Sequence, residues 1–527
     1  MKQFLRNILS LMIVGQILTL PTFAADWPMW GGDSSRNMVS PQKGLPDEFT
    51  PGKYKSGSEE IDLSTTRNVK WVAKLGSQSY GNATISGGKI FVGTNNESPR
   101  DPRHIGDRGV VMCLDEKTGE FLWQLVVPKL GAGKVSDWEY LGICSSPLVD
   151  GDRVYVVTNR CEVVCLDVHG MSNGNDGPFL DEGQYMVGEA GKAPMEVGPT
   201  DADIIWRFDM REEVGVFPHN ITSSSVLIVG NRLYVTTSNG QDWSHVYIPA
   251  PEAPCLIALD KHTGKLVGEE GSGISARLYH CNWSSPAYGK IGNREMIIFG
   301  AGDGFCYGFN PQTVENERGF QVFPEIWRYD CNPPEYKIKD GKPIKYPSAK
   351  GPSEVISTPV FYNNRVYVAI GQDPEHGEGV GNLSCIDAGK TGDITETGKV
   401  WSFKKIHRTM STASILDDLL YIADYSGNVF CLDANTGQEY WVHETNSHIW
   451  GSTLVADGKV FIGDEDGALT ILATGKEKRV ISTAYLPTPI YSTPVAANGV
   501  LYVACQTHLF AIAAQDQEKA LQQSKSE

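Results

Sequence analysis

A fifteen-residue phrase occurs twice in this chain without a gap: GVVMCLDEKTGEFLW from Gly109 to Trp123, and GNVFCLDANTGQEYW from Gly427 to Trp441. A third copy, from Pro254 to Gly268, keeps the Leu-Asp-x-x-Thr-Gly centre but ends on Gly268 where the others end on tryptophan. Self-similarity of this kind marks one supersecondary unit stacked or closed on its neighbours. It constrains the architecture far more tightly than the chemistry.

Each unit opens with a Ser/Thr-rich step, as in Ser145-Ser146-Pro147. A short strand follows, then a turn such as Gly87-Gly88, Asn363-Asn364 or Asn498-Gly499, then a strand of alternating β-branched and aromatic residues. Such pairs supply the positive φ that a two-residue hairpin turn needs. A third strand carries Cys-Leu-Asp, a Thr-Gly turn reverses it, and a fourth ends at Trp. Second strands at Ile90–Gly93, Val154–Val157, Leu233–Thr236, Met296–Phe299, Val366–Ile370, Leu420–Asp424, Val460–Asp464 and Leu501–Cys505 define eight units. Four strands in about 40–45 residues is the size of a propeller blade. The fold class is therefore all-β: an eight-bladed β-propeller of four-stranded antiparallel blades. The eighth unit stops after Phe510-Ala511-Ile512, whereas Asn68-Val69-Lys70-Trp71 is a last strand with no unit before it. Pairing the two closes the ring and removes its free edges.

Domain organisation follows: a leader over residues 1–24, an N-terminal extension over 25–67, the propeller over 68–515 and a polar tail over 516–527. In the leader, Lys2 and Arg6 precede the apolar stretch Ile8 to Leu20, and Thr22-Phe23-Ala24 suits cleavage after Ala24. A periplasmic or secreted location follows, with no transmembrane span in the mature chain. The net charge of −17 argues against a nucleic-acid groove or an anionic membrane surface as partner. Cys113, Cys165, Cys385 and Cys431 share one repeat slot, filled elsewhere by Ala258, Gly308 and Ala511. That slot asks for small size, not sulfur chemistry. Pairing among Cys144, Cys255, Cys281, Cys306, Cys331 and Cys505 stays open, and the odd total of 11 leaves at least one thiol outside any intramolecular bridge.

The repeated Leu-Asp-x-x-Thr-Gly-x-x-x-Trp phrase resembles the quinoprotein-type propeller repeat over residues 68 to 515. The resemblance implies one of two functions. One branch comprises pyrroloquinoline-quinone alcohol and glucose dehydrogenases; the other is the non-enzymatic group typified by the outer-membrane barrel-assembly factor BamB. The start Ala25-Asp26-Trp27-Pro28-Met29-Trp30-Gly31 is similar to openings of exported relatives without an assigned role. This chain lacks the adjacent Cys-Cys pair of the methanol-type enzymes and the Cys-x-x-Cys-His of haem-linked ones. It also lacks the lipid-anchoring cysteine typical of the BamB group.

Residues just before each Ser/Thr step line the channel of a propeller. Here they include Trp138, Glu139 and Tyr140, then His219 and Asn220, then His280, Asn282 and Trp283, then Arg408, His448, Trp450 and Tyr491. Aromatic faces with converging polar groups suit a flat anionic ring system, or they cap strand ends in a wet channel mouth. Ser238-Asn239-Gly240-Gln241-Asp242-Trp243 looks like the stretch near the quinone in the dehydrogenases. That resemblance implies Trp243 as a stacking platform and Asn239 as a cofactor-site residue and calcium ligand, and the channel-facing His280, Trp283, Arg408 and Trp450 would complete the cofactor set. Calcium on Asn239 would want further oxygen ligands, for which Glu139 and Asp303 are the candidate carboxylates, with Asp303 or Asp373 as the base. Inserts at Met171–Asp203, Asp330–Pro352 and Gly371–Gly381 are Gly-, Pro- and acid-rich, forming either a lid or partner surface or plain decoration. The leading expectation is a binding or assembly scaffold in the cell envelope. It would take an envelope protein, an extended peptide or a small molecule at the channel mouth. The alternative is a quinone- and calcium-dependent alcohol or sugar dehydrogenase.

Overall fold

The structure, a computed structural model, describes residues 25–188 and 191–514. The expected leader and polar tail lie outside the described residues. Eight antiparallel sheets form a ring, and blade 1 comprises Thr84–Ser86, Lys89–Asn95, Arg108–Asp115 and Phe121–Pro128. The inner strands of blades 2 to 8 are Leu148–Asp150, Leu227–Val229, Ala287–Ile291, Val360–Tyr362, Ser414–Leu416, Leu454–Ala456 and Val495–Ala497. Val69–Lys74 completes blade 8 against His508–Ile512, with Trp71 opposite Ala511 and Val72 opposite Phe510. Asn363 and Asn364 adopt φ of 50° and 62°, as the tight hairpin turn requires.

The repeat phrase is a docking device between blades. The indole N–H groups of Trp71, Trp123, Trp206, Trp401 and Trp441 donate to carbonyls of Glu116, Val168, Lys261, Ala434 and Gly475, each on the next blade, at 2.9–3.1 Å. A buried indole thus keeps its polar handle satisfied while filling the wedge between sheets. Gly119 of the Thr-Gly turn has φ +73°, and a Cβ there would lie 2.5 Å from the Trp71 ring. On the same sheet, Cys113, Cys165, Cys385 and Cys431 stand directly across from Trp123, Trp206, Trp401 and Trp441, which explains the demand for small residues.

Two units depart from the phrase, and each has a local remedy. In blade 3, Gly268 replaces the tryptophan, and Phe323 from the following unit occupies the gap. Its ring sits 5.7 Å from Tyr234, matching the 6.0 Å of Tyr155 to Trp206. In blade 4, Gly308 lets the Trp327 indole lie so close that a Cβ would meet it at 2.4 Å. Its N–H points to the Met296 sulfur at 3.4 Å.

Long connections between third and fourth strands reach back to cover the preceding blade's outer edge. Asp201 bridges Gln124 of blade 1 in parallel, Gln321–Phe323 pairs with Leu266–Glu270 of blade 3, and Gly392–Asp393 pairs with Glu325–Asp330 of blade 4. The Met171–Asp203 insert is therefore an edge cover, one of the ways sheets avoid open pairing. The other two inserts rise over one end of the channel.

A belt of hydrogen bonds runs around the channel at the Ser/Thr steps. The backbone N–H of Ser146 donates to Ser225 Oγ (3.0 Å) and that of Ser225 to Ser285 Oγ (2.9 Å). Thr358, Thr412 and Ser452 continue the pattern onto Thr412, Ser452 and Thr493. Thr493 then reaches the Asn82 amide oxygen, and Asn82 returns to Ser146 Oγ. Between blades 4 and 5 the Ser284 hydroxyl donates to the Ser357 carbonyl at 2.8 Å. The Thr358 hydroxyl there accepts the Trp30 indole N–H at 3.0 Å.

Below this belt the N-terminal extension closes the channel. Inner-strand amides of Ile85, Val149, Tyr288, Phe361 and Val455 donate to carbonyls of Trp27, Pro28, Ser34, Ser35 and Met38. The Ile415 amide donates to Asn37 Oδ1, and the Ser40 hydroxyl donates to the Ala496 carbonyl. Blade 3 is reached by Arg36, fully buried, which donates to Val226 and Ser225 carbonyls and to Pro286 and Trp30. One short segment therefore touches every blade. Among the described residues no helix is long and apolar enough to cross a membrane.

Two outcomes are expected. Trp71→Ala should cost about 3–5 kcal/mol in denaturant unfolding, because it removes the wedge that joins the two chain ends. All 11 cysteines are free and ten are buried. A thiol reagent should therefore find almost none in the native protein and all 11 after denaturation without reductant; fewer after denaturation would reveal bridges.

Candidate functional site

The belt, the N-terminal segment and the loops above it enclose a cavity of about 430 Å³. Trp30 contributes to its floor, while Glu139 and Glu375 are exposed at the opposite mouth. Tyr80 and Tyr491 stack at 5.0 Å, and Trp450 packs 4.7 Å from Tyr491. Trp138 and Trp283 also line the wall. Glu139, Asp373 and Glu375 supply carboxylates, and among the described residues no Lys or Arg lines the cavity. The Trp450 indole N–H is buried without an acceptor.

Positions preceding successive Ser/Thr steps place His219, His280, Glu354 and Arg408 on neighbouring blades. His219 and His280 meet Nε2 to Nε2 at 2.7 Å. Gly240 permits that approach, since a Cβ there would lie 2.6 Å from His219 Cβ and 2.9 Å from the His280 carbonyl. His219 Nδ1 contacts the Gln241 carbonyl at 2.5 Å, and His280 Nδ1 faces Glu354 at 3.8 Å. His245, on the loop after blade 3's second strand, packs at 5.1 Å from His219 and 4.9 Å from His280, centroid to centroid. His376 from the Gly371–Gly381 insert sits 5.2 Å from His280. Tyr346 from the Asp330–Pro352 insert donates to Glu354 at 3.2 Å. Burial pushes the His219 ring down to about 3 and lowers His280 likewise, so both rings are neutral. The same burial raises the Glu354 carboxyl to about 8.

The residues expected from the sequence fall into separate places. Trp283, Trp450, Glu139 and Asp373 line the cavity, where Trp283 donates its indole N–H to the Ile221 carbonyl, and His280 lies buried against Trp283 outside that lining. Trp243 is 63% exposed, on the loop that carries His245. Arg408 is buried with its terminal nitrogens on the carbonyls of His376, Gly377 and Ser348, so it braces the mouth loops. Asp373 caps Glu375 N–H with one oxygen and accepts from Asn220 with the other. Asn239 is buried. Its oxygen accepts from Phe217 N–H, and its amide donates to the Ala250 carbonyl and Ser275 Oγ. Asp303 is held by the Tyr307 hydroxyl at 2.6 Å and by Arg277 at 3.1 Å, and burial raises it to about 6.

These commitments decide how well a quinone with calcium fits. A hard cation wants six to eight oxygen ligands. Of the three side chains expected to supply them, Asn239 and Asp303 are already engaged elsewhere and Glu139 stands exposed at the mouth. A flat anionic ring would meet three carboxylates and no cationic side chain on the cavity wall. The residues present do not fit that pair, and no step is derived through it. His245, Glu354, His376 and Tyr346 escaped the sequence reading. Glu354 alone carried a signal, since it precedes the Ser357-Thr358 step as His280 precedes Ser284-Ser285; the others sit on inserts outside the repeat.

Asn239→Ala should lower stability by about 2–3 kcal/mol in denaturant unfolding, through the buried donor and acceptors it leaves unpaired. A variant of unchanged stability would contradict that structural role.

No protein of curated function matches the chain in sequence. In fold it is similar to BamB from Moraxella catarrhalis, at 13% identity and TM-score 0.50, over 85% of this chain and 98% of that one. It is also similar to a europium-containing methanol dehydrogenase, at 11% identity and TM-score 0.55, over 93% and 98% of the two chains. At such identities the likeness shows the fold alone. The family described as outer membrane protein assembly factor BamB matches residues 58–270 and 381–523, more than half of the chain. The chain belongs to that family.

Proposed function

We propose that this protein is an exported binding scaffold of the cell envelope, whose recognition face is the mouth of its central channel. The observation that carries this reading is the wall chemistry: stacked aromatic rings and three carboxylates, with no Lys or Arg among the lining residues. Aromatic faces and carboxylates together favour a cation, each cation–π contact adding about 0.5–2 kcal/mol as water is excluded. The occupant is then a basic side chain on an extended segment of a partner protein. Because the N-terminal segment closes the other end, a side chain enters the channel and does not thread through it. Family membership supports an assembly role, and the Lys2, Arg6 and Ala24 leader supports export.

Intrinsic tryptophan fluorescence tests this directly. An arginine-containing extended peptide should quench it saturably and less so at high salt, whereas the same peptide with glutamate should have no effect. Combining Glu139→Gln with Asp373→Asn should weaken binding about tenfold or more. Equal responses to both peptides would contradict the reading. So would reduction of an artificial acceptor with an alcohol or aldose after addition of pyrroloquinoline quinone and calcium.

A further inference from the structure

The histidines beside the channel form a separate constellation with its own chemistry. His219, His245 and His280 each offer a ring nitrogen, and these atoms all lie within 4.8 Å of one another. One of the rings is oriented from behind by a hydrogen bond. His219 Nδ1 lies on a backbone carbonyl and so carries the proton, which leaves its Nε2 lone pair facing His280. His280 Nδ1 faces the Glu354 carboxyl and has no hydrogen-bond partner, nor has Glu354 Oε2, although both side chains are fully buried. A carbonyl behind a ring, with Nε2 pointing forward, is an arrangement that orients metal-bound imidazoles, and His219 has it. The two Nε2 atoms meet at 2.7 Å, so a cation bound between them would take the place of the single proton the pair can share.

We propose that His219, His245 and His280 bind one divalent first-row transition ion of the zinc class. Imidazole donors select such ions over calcium or magnesium, which want oxygen. Such an ion requires an imidazole nitrogen lone pair from each ligand. With Zn–N bonds of about 2.0 Å, tetrahedral ligand atoms lie roughly 3.3 Å apart, so the Nε2 pair opens by roughly half an ångström. Three protein ligands leave a fourth position open, and the His376 ring lies 5.2 Å from that of His280. The site would thus offer a Lewis-acidic partner for an imidazole or water. It stands apart from recognition of basic segments, because none of its three ligands lines the cavity.

Cobalt(II) chloride added to the chelator-treated, full-length mature protein provides the test. The expected result is uptake of one equivalent with the visible d–d band of a four-coordinate nitrogen site, bleached by added zinc. His245 is half-buried on a loop, so His245→Ala should leave circular dichroism and the melting temperature unchanged while weakening cobalt binding by about 100-fold or more. His262→Ala, at an exposed histidine outside the cluster, should bind as the parent does. Absence of the band, or equal binding by the parent and His245→Ala, would overturn the proposal. Loss of the band in His262→Ala would do the same.

Discussion

A backbone N–H that reaches a hydroxyl or amide oxygen on the next blade, repeated around the channel, is the contact from which the rest of this propeller follows. Radial sheets meet the axis with their inner strands, whose outward-facing backbone groups have no neighbouring strand. Leaving such groups unpaired in the interior costs about 1–3 kcal/mol each. The Ser/Thr steps satisfy one level of these groups by linking blade to blade. The segment from Trp27 to Ser40 satisfies the next by lying across the inner strands, with Arg36 spanning the reach to blade 3. One short stretch outside the repeat therefore turns an open channel into a pocket with one mouth.

Much of the fold was legible in the sequence because repetition multiplies weak signals. The Trp, Thr-Gly and small-residue positions are three sides of one contact, and Trp71, Gly119 and Ala511 show it at the junction where the chain ends meet. The exceptions were legible only as gaps. Gly268 announced a missing tryptophan, but nothing in the linear order said that Phe323 would fill its place. The Ser/Thr step was visible in the repeat, yet its role as a belt depends on which groups face one another across neighbouring blades, and in blade 1 the member is Asn82. Likewise the N-terminal extension carries no periodicity, so its passage beneath all eight blades follows from packing alone.

The site was legible in part for the same reason. Trp283 and Trp450 occupy positions that the repeat sends to the channel and line its cavity, while His280 is buried beside it. Asn239 was assigned by resemblance to an enzyme branch and Asp303 as a carboxylate to complete its calcium, and in this chain both serve the local framework. Asn239 ties Phe217 to Ala250, and Asp303 neutralises Arg277. His245 and His376 come from insert loops whose placement is set by contacts remote in sequence, notably Arg408 holding the His376 and Gly377 carbonyls. Scaffold residues obey the repeat, whereas much of what distinguishes this mouth from another propeller's lies in the loops that interrupt it.

Residue-resolved hydrogen exchange tests the central claim most directly, comparing the mature chain with one lacking residues 25–45. Closure by the N-terminal segment predicts that the amides of Ile85, Val149, Tyr288, Phe361 and Val455 exchange about 100-fold faster or more in the shortened chain, while middle-strand amides such as Tyr155 and Tyr421 stay protected. Unchanged exchange at those inner-strand amides would mean that they have other partners and that the segment does not close the channel.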